Sequence, residues 1–169
     1  HEKFAKDEYD VMVLPVNSYL FHGRSAHYPG VIIAALSDSK GADNILVYKS
    51  AITGSPVVND LNNPGLKICL TPDSPSSFLL NTAIVHFDLA TLKKDMSWMI
   101  EANGSEDAYI RMLRRECEAA VLWEPDVSKA LESPEIVSVF GSHQIAGMII
   151  DVFVIQRSLV EDEKTLAFF

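Results

Sequence analysis

The chain has 169 residues, of which 48% are hydrophobic and 22% charged, a composition typical of an ordinary globular protein with a real core. Its net charge is −9, from 14 Lys and Arg against 23 Asp and Glu, so it lacks the basic character that a nucleic-acid partner requires. No apolar run is long enough to span a membrane, and because the sequence opens on His1 we expect a processed or cloned N-terminus.

The first part of the chain predicts short strands separated by polar turns. Residues 1–8 are polar and predict a short or frayed helix, and a buried strand over 9–15 ends at Pro15. A helix then opens at Asn17 or Ser18, either of which is a suitable N-cap. The next predicted elements, in chain order, are strands at 31–36 and 44–48 and a short helix at 55–61.

The stretch 67–87 has the clearest pattern in the sequence. The apolar run Ile68–Leu70 predicts a buried strand, and it is followed by a hydroxyl-rich turn with two prolines, 71–77. Ser74 is a good N-cap and Pro75 a good first residue for a helix, and apolar residues recur after them at helical spacing. In an open α/β sheet a strand, a tight turn and a helix start mark a place where small ligands bind. An ordinary capped helix explains the same residues equally well.

Strands and helices alternate through the second half of the chain. This alternation predicts right-handed βαβ units and a parallel sheet. The predicted elements are a strand at 95–101, a helix at 106–116, a strand at 119–123, a helix at 127–132, strands at 136–140 and 148–155, and a final helix from 158 to 163.

The two cysteines decide little at the level of sequence. Cys69 and Cys117 each lie in or beside an apolar run, so two buried thiols are the simplest interpretation. A disulfide requires that the two strands be neighbours. The two cysteines therefore do not decide between an oxidising and a reducing compartment.

Polar residues follow several predicted strands and form the candidate site. If the strands are parallel, their ends converge on one crevice and offer hydroxyls, an aromatic surface and one carboxylate to a small polar or aromatic ligand. Trp123 could line a pocket or only cover the core, and Glu124 could accept hydrogen bonds or only start a helix. The candidate residues are Ser18, Ser39, Thr71, Ser74, Ser76, Ser77, Trp123 and Glu124.

Enzyme chemistry has little support in the residues. No phosphate-binding loop, nucleophile elbow or zinc-protease motif occurs, so we expect no cofactor and no catalytic residue. His22 and His27 lack the supporting ligands of a metal site. Asp151 lies inside an apolar strand, and we expect it to have a structural role.

The order of these stretches resembles one family, the periplasmic solute-binding proteins of ABC importers with the type II fold, in the nitrate, sulfonate and thiamine-precursor branch. The residues that carry the resemblance are 37–43, 60–61, 67–80, 118–125 and 151–154. It implies an α/β fold, in which a parallel-core βαβ sheet lobe is joined by crossover hinge strands to a second lobe, with the ligand in the cleft. Residues 1–49 would be a remnant of the first lobe and a hinge strand, 50–142 the second lobe, and 143–169 the return strand and the start of a first-lobe helix.

The resemblance also implies a function and a location. The chain would be a periplasmic or extracytoplasmic component that captures a small polar, anionic or aromatic solute and delivers it to an ABC permease. It would meet the membrane only through that permease or through a lipid anchor outside this chain. The family's first βαβ segment and its C-terminal helices would lie outside residues 1–169, so the chain resembles a fragment, and an exposed sheet edge would favour a homodimer. The alternatives are an enzyme on the same scaffold, with pyrimidine- or chorismate-type chemistry, and a ligand-sensing domain.

Overall fold

The computed structural model describes residues 2–161, and the chain divides into two compact units. Unit 1 contains the residues up to Asp38 and those from Gly147 onward, and unit 2 is Ser39–Ala146. No helix within residues 2–161 has the length and apolarity to cross a membrane. The helices and strands, in chain order, are α1 (Glu2–Ala5), β1 (Val11–Pro15), α2 (Val16–Gly23), β2 (Gly30–Asp38), β3 (Asp43–Tyr48), β4 (Ile68–Leu70), α3 (Pro75–His86), α4 (Ala90–Lys94), β5 (Met99–Glu101), α5 (Ser105–Leu113), β6 (Ala119–Trp123), α6 (Asp126–Leu131), β7 (Ile136–Gly141), β8 (Ile150–Gln156) and α7 (Arg157–Val160).

Unit 2 is built on a five-stranded sheet in the order β5-β4-β6-β3-β7. β4 pairs in parallel with both β5 and β6, which confirms the predicted parallel core. β3 runs antiparallel to β6 and to β7. The carboxyl ends of β4, β5, β6 and β7 therefore lie at the same edge of the sheet as the first residue of β3.

Helices cover both faces of this sheet, which explains why its strands are continuously apolar rather than alternating. Leu46 and Leu122 pack with Met112 of α5 and Val127 of α6 in one buried cluster. The residues of β3 and β6 that alternate with Leu46 and Leu122 face the opposite side of the sheet. On that side α3 contacts both strands. Ile45, Leu46 and Val47 are consequently all fully buried.

A disulfide joins Cys69 on β4 to Cys117, two residues before β6, with their Cα atoms 6.0 Å apart. β4 and β6 are neighbours in the sheet, which is the condition that a bridge between them requires. Both cysteines are buried. The interpretation of the pair as two buried thiols is therefore wrong, because sequence spacing alone does not tell which strands lie side by side.

Unit 1 contains a three-stranded antiparallel sheet with β8 between β1 and β2. Phe4 and Tyr19 pack on Val152 and Val154 of the central strand. The Tyr19 hydroxyl donates a hydrogen bond to the carbonyl oxygen of Gly30 at 2.8 Å. The core of unit 1 is thus formed by the residues on one face of its sheet and by the helices α1 and α2.

Some predicted element bounds differ from those observed. The predicted strand at 95–101 is reduced to β5 because the Asp95 carboxylate accepts a hydrogen bond from Ser97 N at 2.8 Å and Met99 N donates to Met96 O at 3.0 Å, which closes a turn. α5 begins and ends earlier than predicted, and Arg115 after it adopts a φ of 59°. α4 was not predicted. The final predicted helix is observed as α7, and its last residues, 162 and 163, lie outside the described residues.

Candidate functional site

One edge of the five-stranded sheet gathers the ends of its strands. We name it the strand-end edge and define it by the segments that form it. Because β3 is antiparallel to its neighbours, the segment that leads into it lies beside the segments that leave β6 and β7, at the same edge as those that leave β4 and β5. The strand-end edge consists of residues 39–43, 71–77, 103–105, 123–124 and 141–142.

The turn after β4 uses its serines to start α3. Ser74 is the N-cap, and its hydroxyl oxygen accepts a hydrogen bond from Ser76 N at 3.2 Å and donates one to Thr71 O at 2.6 Å. The Ser77 hydroxyl accepts from Ser74 N at 3.1 Å, which completes a capping box. Two of the predicted ligand serines therefore also perform the capping role that the sequence left as the alternative.

Ser76 is fully buried, and its hydroxyl donates to the carbonyl oxygen of Val121 on β6 at 3.2 Å. This bond fixes the start of α3 against the neighbouring strand. Ser77 and Thr71 are only partly buried. Ser74 is partly buried as well, and the hydroxyls of Ser74 and Ser77 donate to Thr71 O at 2.6 Å and to Ser74 O at 2.9 Å. Among the described bonds of this turn, the Thr71 hydroxyl is the one that keeps its proton to offer a solute.

The loop after β5 joins the same edge. Gly104 has a φ of +98°, a conformation that glycine adopts without strain, and its N–H donates to the Thr71 hydroxyl oxygen at 3.1 Å. α5 then begins at Ser105 with no side-chain cap. The first N–H groups of α5 therefore face the edge without a capping side chain.

Ser105 holds the end of β6. Its hydroxyl lies 3.1 Å from both Trp123 N, which donates to it, and Trp123 O, which accepts from it. Trp123 itself is partly exposed and lies opposite Asp43 in the register of β3 and β6. The backbone of Trp123 is thus held by Ser105 on one side and paired with β3 on the other.

Glu124 acts as a cap in this structure. Its carboxylate accepts hydrogen bonds from Ser128 N at 3.1 Å and from the Ser128 hydroxyl at 2.8 Å, across the first turn of α6. Glu124 N donates to Ala42 O at 3.0 Å, which ties the end of β6 to the segment before β3. The helix-start role is observed, and the carboxylate stays exposed beside it.

Ser39 belongs to a buried polar cluster at the far end of the edge. Its hydroxyl contacts the carboxylate of Asp43 and, at 2.8 Å, the hydroxyl of Ser142. Ser142 is fully buried and also accepts from Gly41 N at 2.8 Å. Asp43 is 4% exposed, so these groups bind one another rather than solvent.

Ser18 and Asp151 lie in unit 1. Ser18 is on α2 and is buried. The Asp151 carboxylate accepts a hydrogen bond from the Ser37 hydroxyl at 2.6 Å, between directly opposed residues of β8 and β2. This pairing agrees with the structural role expected for Asp151.

The nearby charges are largely paired. Hydrogen bonds from Asn103 N and then Arg111 lower the pKa of the Asp107 carboxyl in the first turn of α5. A hydrogen bond to Asp126 raises the pKa of Lys129, whose ammonium lies 2.9 Å from that carboxylate. Within residues 2–161 no group of three or more His, Cys, Asp or Glu side chains could hold a metal ion. The edge therefore offers hydroxyls, backbone amides, an indole ring and the exposed carboxylate of Glu124.

The structure brings together every predicted site residue except Ser18. Sequence reasoning missed Gly104, Ser105, Asp43 and Ser142. For Gly104 and Ser105 the signal was present, since a glycine and a hydroxyl follow a strand and open a helix as Ser74 does. Asp43 and Ser142 join the edge only because β3 is antiparallel, which the sequence did not indicate.

Three comparisons with solved structures give the fold. The periplasmic aliphatic sulphonate binding protein SsuA from Escherichia coli matches with a TM-score of 0.78 and 19% identity, over 99% of this chain and 53% of that chain. The MOPS-bound alkanesulfonate-binding protein SsuA from Xanthomonas axonopodis pv. citri has a TM-score of 0.72 and 16% identity, with 99% and 55% covered. The zinc-bound ligand-binding component of an ABC-type import system from Staphylococcus aureus has a TM-score of 0.68 and 13% identity, with 98% and 54% covered.

The chain has the type II fold of the periplasmic solute-binding proteins. It spans about half the length of these structures. No protein-family model matches the sequence, and neither does any curated protein. At these identities the likeness establishes the fold, and the solute is a separate question.

Proposed function

We propose that the chain is part of an extracytoplasmic solute-binding protein of an ABC importer, and that it binds a small solute at the strand-end edge of unit 2. The observation that carries the proposal is the convergence of Thr71, Ser77, the start of α5 and Trp123 on one edge of a sheet with this fold. Crevices outside the carboxyl ends of strands are the usual ligand sites of open α/β sheets.

The residues of the edge divide into two roles in this proposal. Trp123 and Thr71 contact the solute, because each is only partly buried and neither side chain caps a helix start. Ser74, Ser76, Ser77 and Glu124 hold backbone and helix starts in place through the bonds described above. Ser39 acts in the same way through its contact with Ser142.

This division favours a solute with a planar or apolar part and a hydrogen-bond acceptor. The indole ring of Trp123 supplies a surface for stacking. The Thr71 hydroxyl and the uncapped N–H groups of α5 suit an anionic or carbonyl oxygen. Alkanesulfonates and substituted pyrimidines both satisfy this description, and the proposal covers both.

The disulfide supports a location outside the cytoplasm. Bonds such as Cys69–Cys117 form and persist in oxidising compartments, of which the bacterial periplasm is one. The partners in the proposal are a small solute and an ABC permease that recognises the ligand-bound form. Solute contacts with both lobes would favour closure of the cleft, and residues 1–49 and 143–169 would contain the hinge strands between a first lobe and the lobe at 50–142.

The proposal includes a homodimer of the 169-residue chain. Val13 on the edge strand β1 is 58% exposed, and Leu36 on the other edge strand, β2, is 53% exposed. Exposed apolar edge strands are templates for pairing with another chain. Light scattering should give a dimer that Val13→Lys converts to a monomer, whereas Val85→Lys, at a position 72% exposed in unit 2, should leave it intact. A monodisperse wild-type monomer at high concentration contradicts the dimer.

The solute proposal is tested by a thermal-shift screen followed by calorimetry. A ligand that binds only the folded chain raises its melting temperature. We expect a hit among alkanesulfonates, small anions, amino acids or pyrimidines, with binding lost in Trp123→Ala and weakened in Thr71→Ala. Phe21→Ala removes an aromatic ring that is 65% exposed in unit 1 and serves as the matched control. A hit that both aromatic variants bind equally well contradicts the assignment of the site to the strand-end edge.

A further inference from the structure

The loop between β5 and α5 contains the sequence Asn103-Gly104, the one place in the chain where glycine directly follows asparagine. Asn103 is exposed, so water reaches its side-chain amide. A Cβ built on Gly104 would meet no atom within 4 Å apart from its neighbours along the chain. The peptide bond between the two residues is therefore not crowded by another part of the molecule.

This pair of residues permits a reaction between a side chain and the backbone. The Gly104 nitrogen, after loss of its proton to water, forms a bond to the side-chain carbonyl carbon of Asn103. The bond from that carbon to the side-chain nitrogen breaks, and this nitrogen takes up a proton and leaves as ammonia. Water then opens the succinimide ring at either carbonyl carbon and gives aspartate or isoaspartate. One water enters and one ammonia leaves, so the chain exchanges NH for O without any oxidant or reductant.

The other asparagines of the chain are less suited to this reaction, which is easiest when the next residue has no side chain to obstruct the attack. Asn44 is 7% exposed, and its amide is bonded at both ends, to Gly41 O at 2.7 Å and to the Ser138 hydroxyl at 2.8 Å. Asn63 precedes Pro64, whose nitrogen carries no proton. The asparagines that remain each precede a residue with a side chain, and they are Asn17, Asn59, Asn62 and Asn81.

Hydrogen bonds hold the two peptide N–H groups that flank Asn103. The Gly104 N–H donates to the Thr71 hydroxyl oxygen at 3.1 Å, and the Asn103 N–H donates to the Asp107 carboxylate at 2.9 Å. Thr71 follows β4, which lies beside β5 in the sheet, so the first of these bonds joins two neighbouring loops. The Gly104 nitrogen must leave Thr71 before it can approach the side chain of Asn103.

We propose that Asn103 is a site of spontaneous deamidation through a succinimide, and that the Thr71–Gly104 hydrogen bond sets the rate of this reaction in the folded chain. The bond slows the reaction rather than preventing it, because a loop opens locally far more often than the whole unit unfolds. Thr71 takes no part in the bonds that form or break. It is a positioning residue, which keeps the Gly104 nitrogen away from the carbon that it attacks.

Either product of the reaction changes the strand-end edge. Aspartate adds a carboxylate just before the first turn of α5, where the helix dipole favours negative charge. Isoaspartate adds the same charge and also lengthens the backbone by one methylene group, which displaces the Gly104 N–H from Thr71. An anionic solute would bind the deamidated edge less tightly. That last consequence rests on the proposed function, whereas the reaction at Asn103 does not.

Incubation of the full chain at neutral pH without any solute, followed by peptide mass spectrometry, tests the site. The peptide that contains Asn103 should be the first to exchange NH for O, as a mixture of aspartate and isoaspartate that chromatography separates. Asn81, an exposed asparagine of the same unit, is the internal control, and Asn103→Gln should abolish the early product. Faster reaction at Asn81 or at any other asparagine, or no reaction at Asn103 even in urea, would overturn the assignment.

Three threonine variants test the role of the hydrogen bond. Thr71→Val keeps the shape of the side chain but removes the acceptor, and it should speed the reaction at Asn103 about fivefold, the factor that a hydrogen bond of typical net strength supplies. Thr71→Ser retains a hydroxyl and should restore the slow rate. Thr82→Val removes a hydroxyl bonded to Phe78 O at 2.9 Å on α3 and should leave the rate unchanged. Equal rates in the wild type and Thr71→Val, or an equal increase in Thr82→Val, would overturn the role of the Thr71–Gly104 bond.

Discussion

The two units bury their apolar residues to very different extents. In unit 2 the β3 residues Ile45, Leu46 and Val47 are fully buried beneath helices on both faces of the sheet. In unit 1, Val13 and Leu36 on the two edge strands are more than half exposed. Unit 2 therefore has the packing of a complete core, whereas unit 1 presents the kind of apolar surface that usually marks an interaction face.

This difference shows which part of the chain can hold a site by itself. A ligand site needs side chains fixed by their surroundings, and the strand-end edge has them in the Ser76–Val121 and Ser105–Trp123 bonds. The covalent link between β4 and β6 lies in the same sheet. The predictions below use the contrast between the units, from the largest expected effect to the smallest.

Loss of the disulfide should destabilise unit 2 most. The bridge closes a loop with a sequence separation of 48 residues, and the chain-entropy model gives about 4 kcal/mol for a loop of that length. We expect Cys69→Ala/Cys117→Ala to lower the free energy of unfolding by that amount. Trp98 and Trp123, the only tryptophans, both lie in unit 2, so denaturant unfolding followed by tryptophan fluorescence reports that unit. Identical midpoints for the variant and the oxidised wild type would contradict the role of the bridge.

Truncation of a leucine should cost far more in the five-stranded sheet than in unit 1. Leu46 on β3 is fully buried, and Leu36 on β2 is 53% exposed. Leu46→Ala creates a cavity and should reduce the free energy of unfolding by about 3 kcal/mol. Leu36→Ala, the matched control, should change it by less than about 0.5 kcal/mol. Calorimetric unfolding of both variants checks the comparison, and it fails if the two losses are equal.

The N-cap of α3 should contribute a smaller but measurable amount. Ser74→Ala removes the oxygen that accepts from Ser76 N and should reduce the free energy of unfolding by about 1 kcal/mol. Ser55→Ala, at an exposed loop position of the same unit, is the control. Urea unfolding measures both. An unchanged free energy of unfolding in Ser74→Ala would mean that water replaces the hydrogen bonds of the cap without loss of stability.

Alkaline pH should destabilise both units through one tyrosine each. Burial, as the largest cause, raises the pKa of Tyr19 in unit 1 and of Tyr48 in unit 2 above the usual 10.0. The folded state then holds the phenolic proton more tightly than the unfolded chain does. This stabilisation is fully present below about pH 10 and is lost as pH rises through the raised pKa.

The two tyrosines can be separated by substitution. In Tyr48→Phe the tryptophan-detected unfolding midpoint should depend less on alkaline pH than in the wild type. Tyr19→Phe should leave that dependence unchanged, because Tyr19 lies in the other unit. An equal reduction in the two variants would contradict the assignment.

Sequence reasoning located the strand-end edge because its signals are local. A strand followed by Ser74-Pro75, or by Trp123-Glu124, identifies a strand end and a helix start without knowledge of the fold. The parallel arrangement of β4, β5 and β6 followed from the alternation of strands and helices, and the structure confirms it.

The rest depended on which strands are neighbours. The pairing of Cys69 with Cys117, and the contact of Ser39 with Ser142 across 103 residues, arise from sheet order. Neither contact can be inferred from the spacing of these residues along the sequence. The N-cap role of Ser74 was predicted and is confirmed. The helix-start role of Glu124 was only one of two alternatives, because a carboxylate at a helix start looks the same whether it binds the backbone or a solute.

The most direct test of the central claim uses the two indole N–H signals in a nitrogen–proton correlation spectrum. A solute from the screen should shift the Trp123 signal, at the end of β6, and leave the Trp98 signal, whose N–H is bonded to Leu92 O, unchanged. That result places the solute at the strand-end edge. A solute that binds the full chain without shifting the Trp123 signal would contradict the claim.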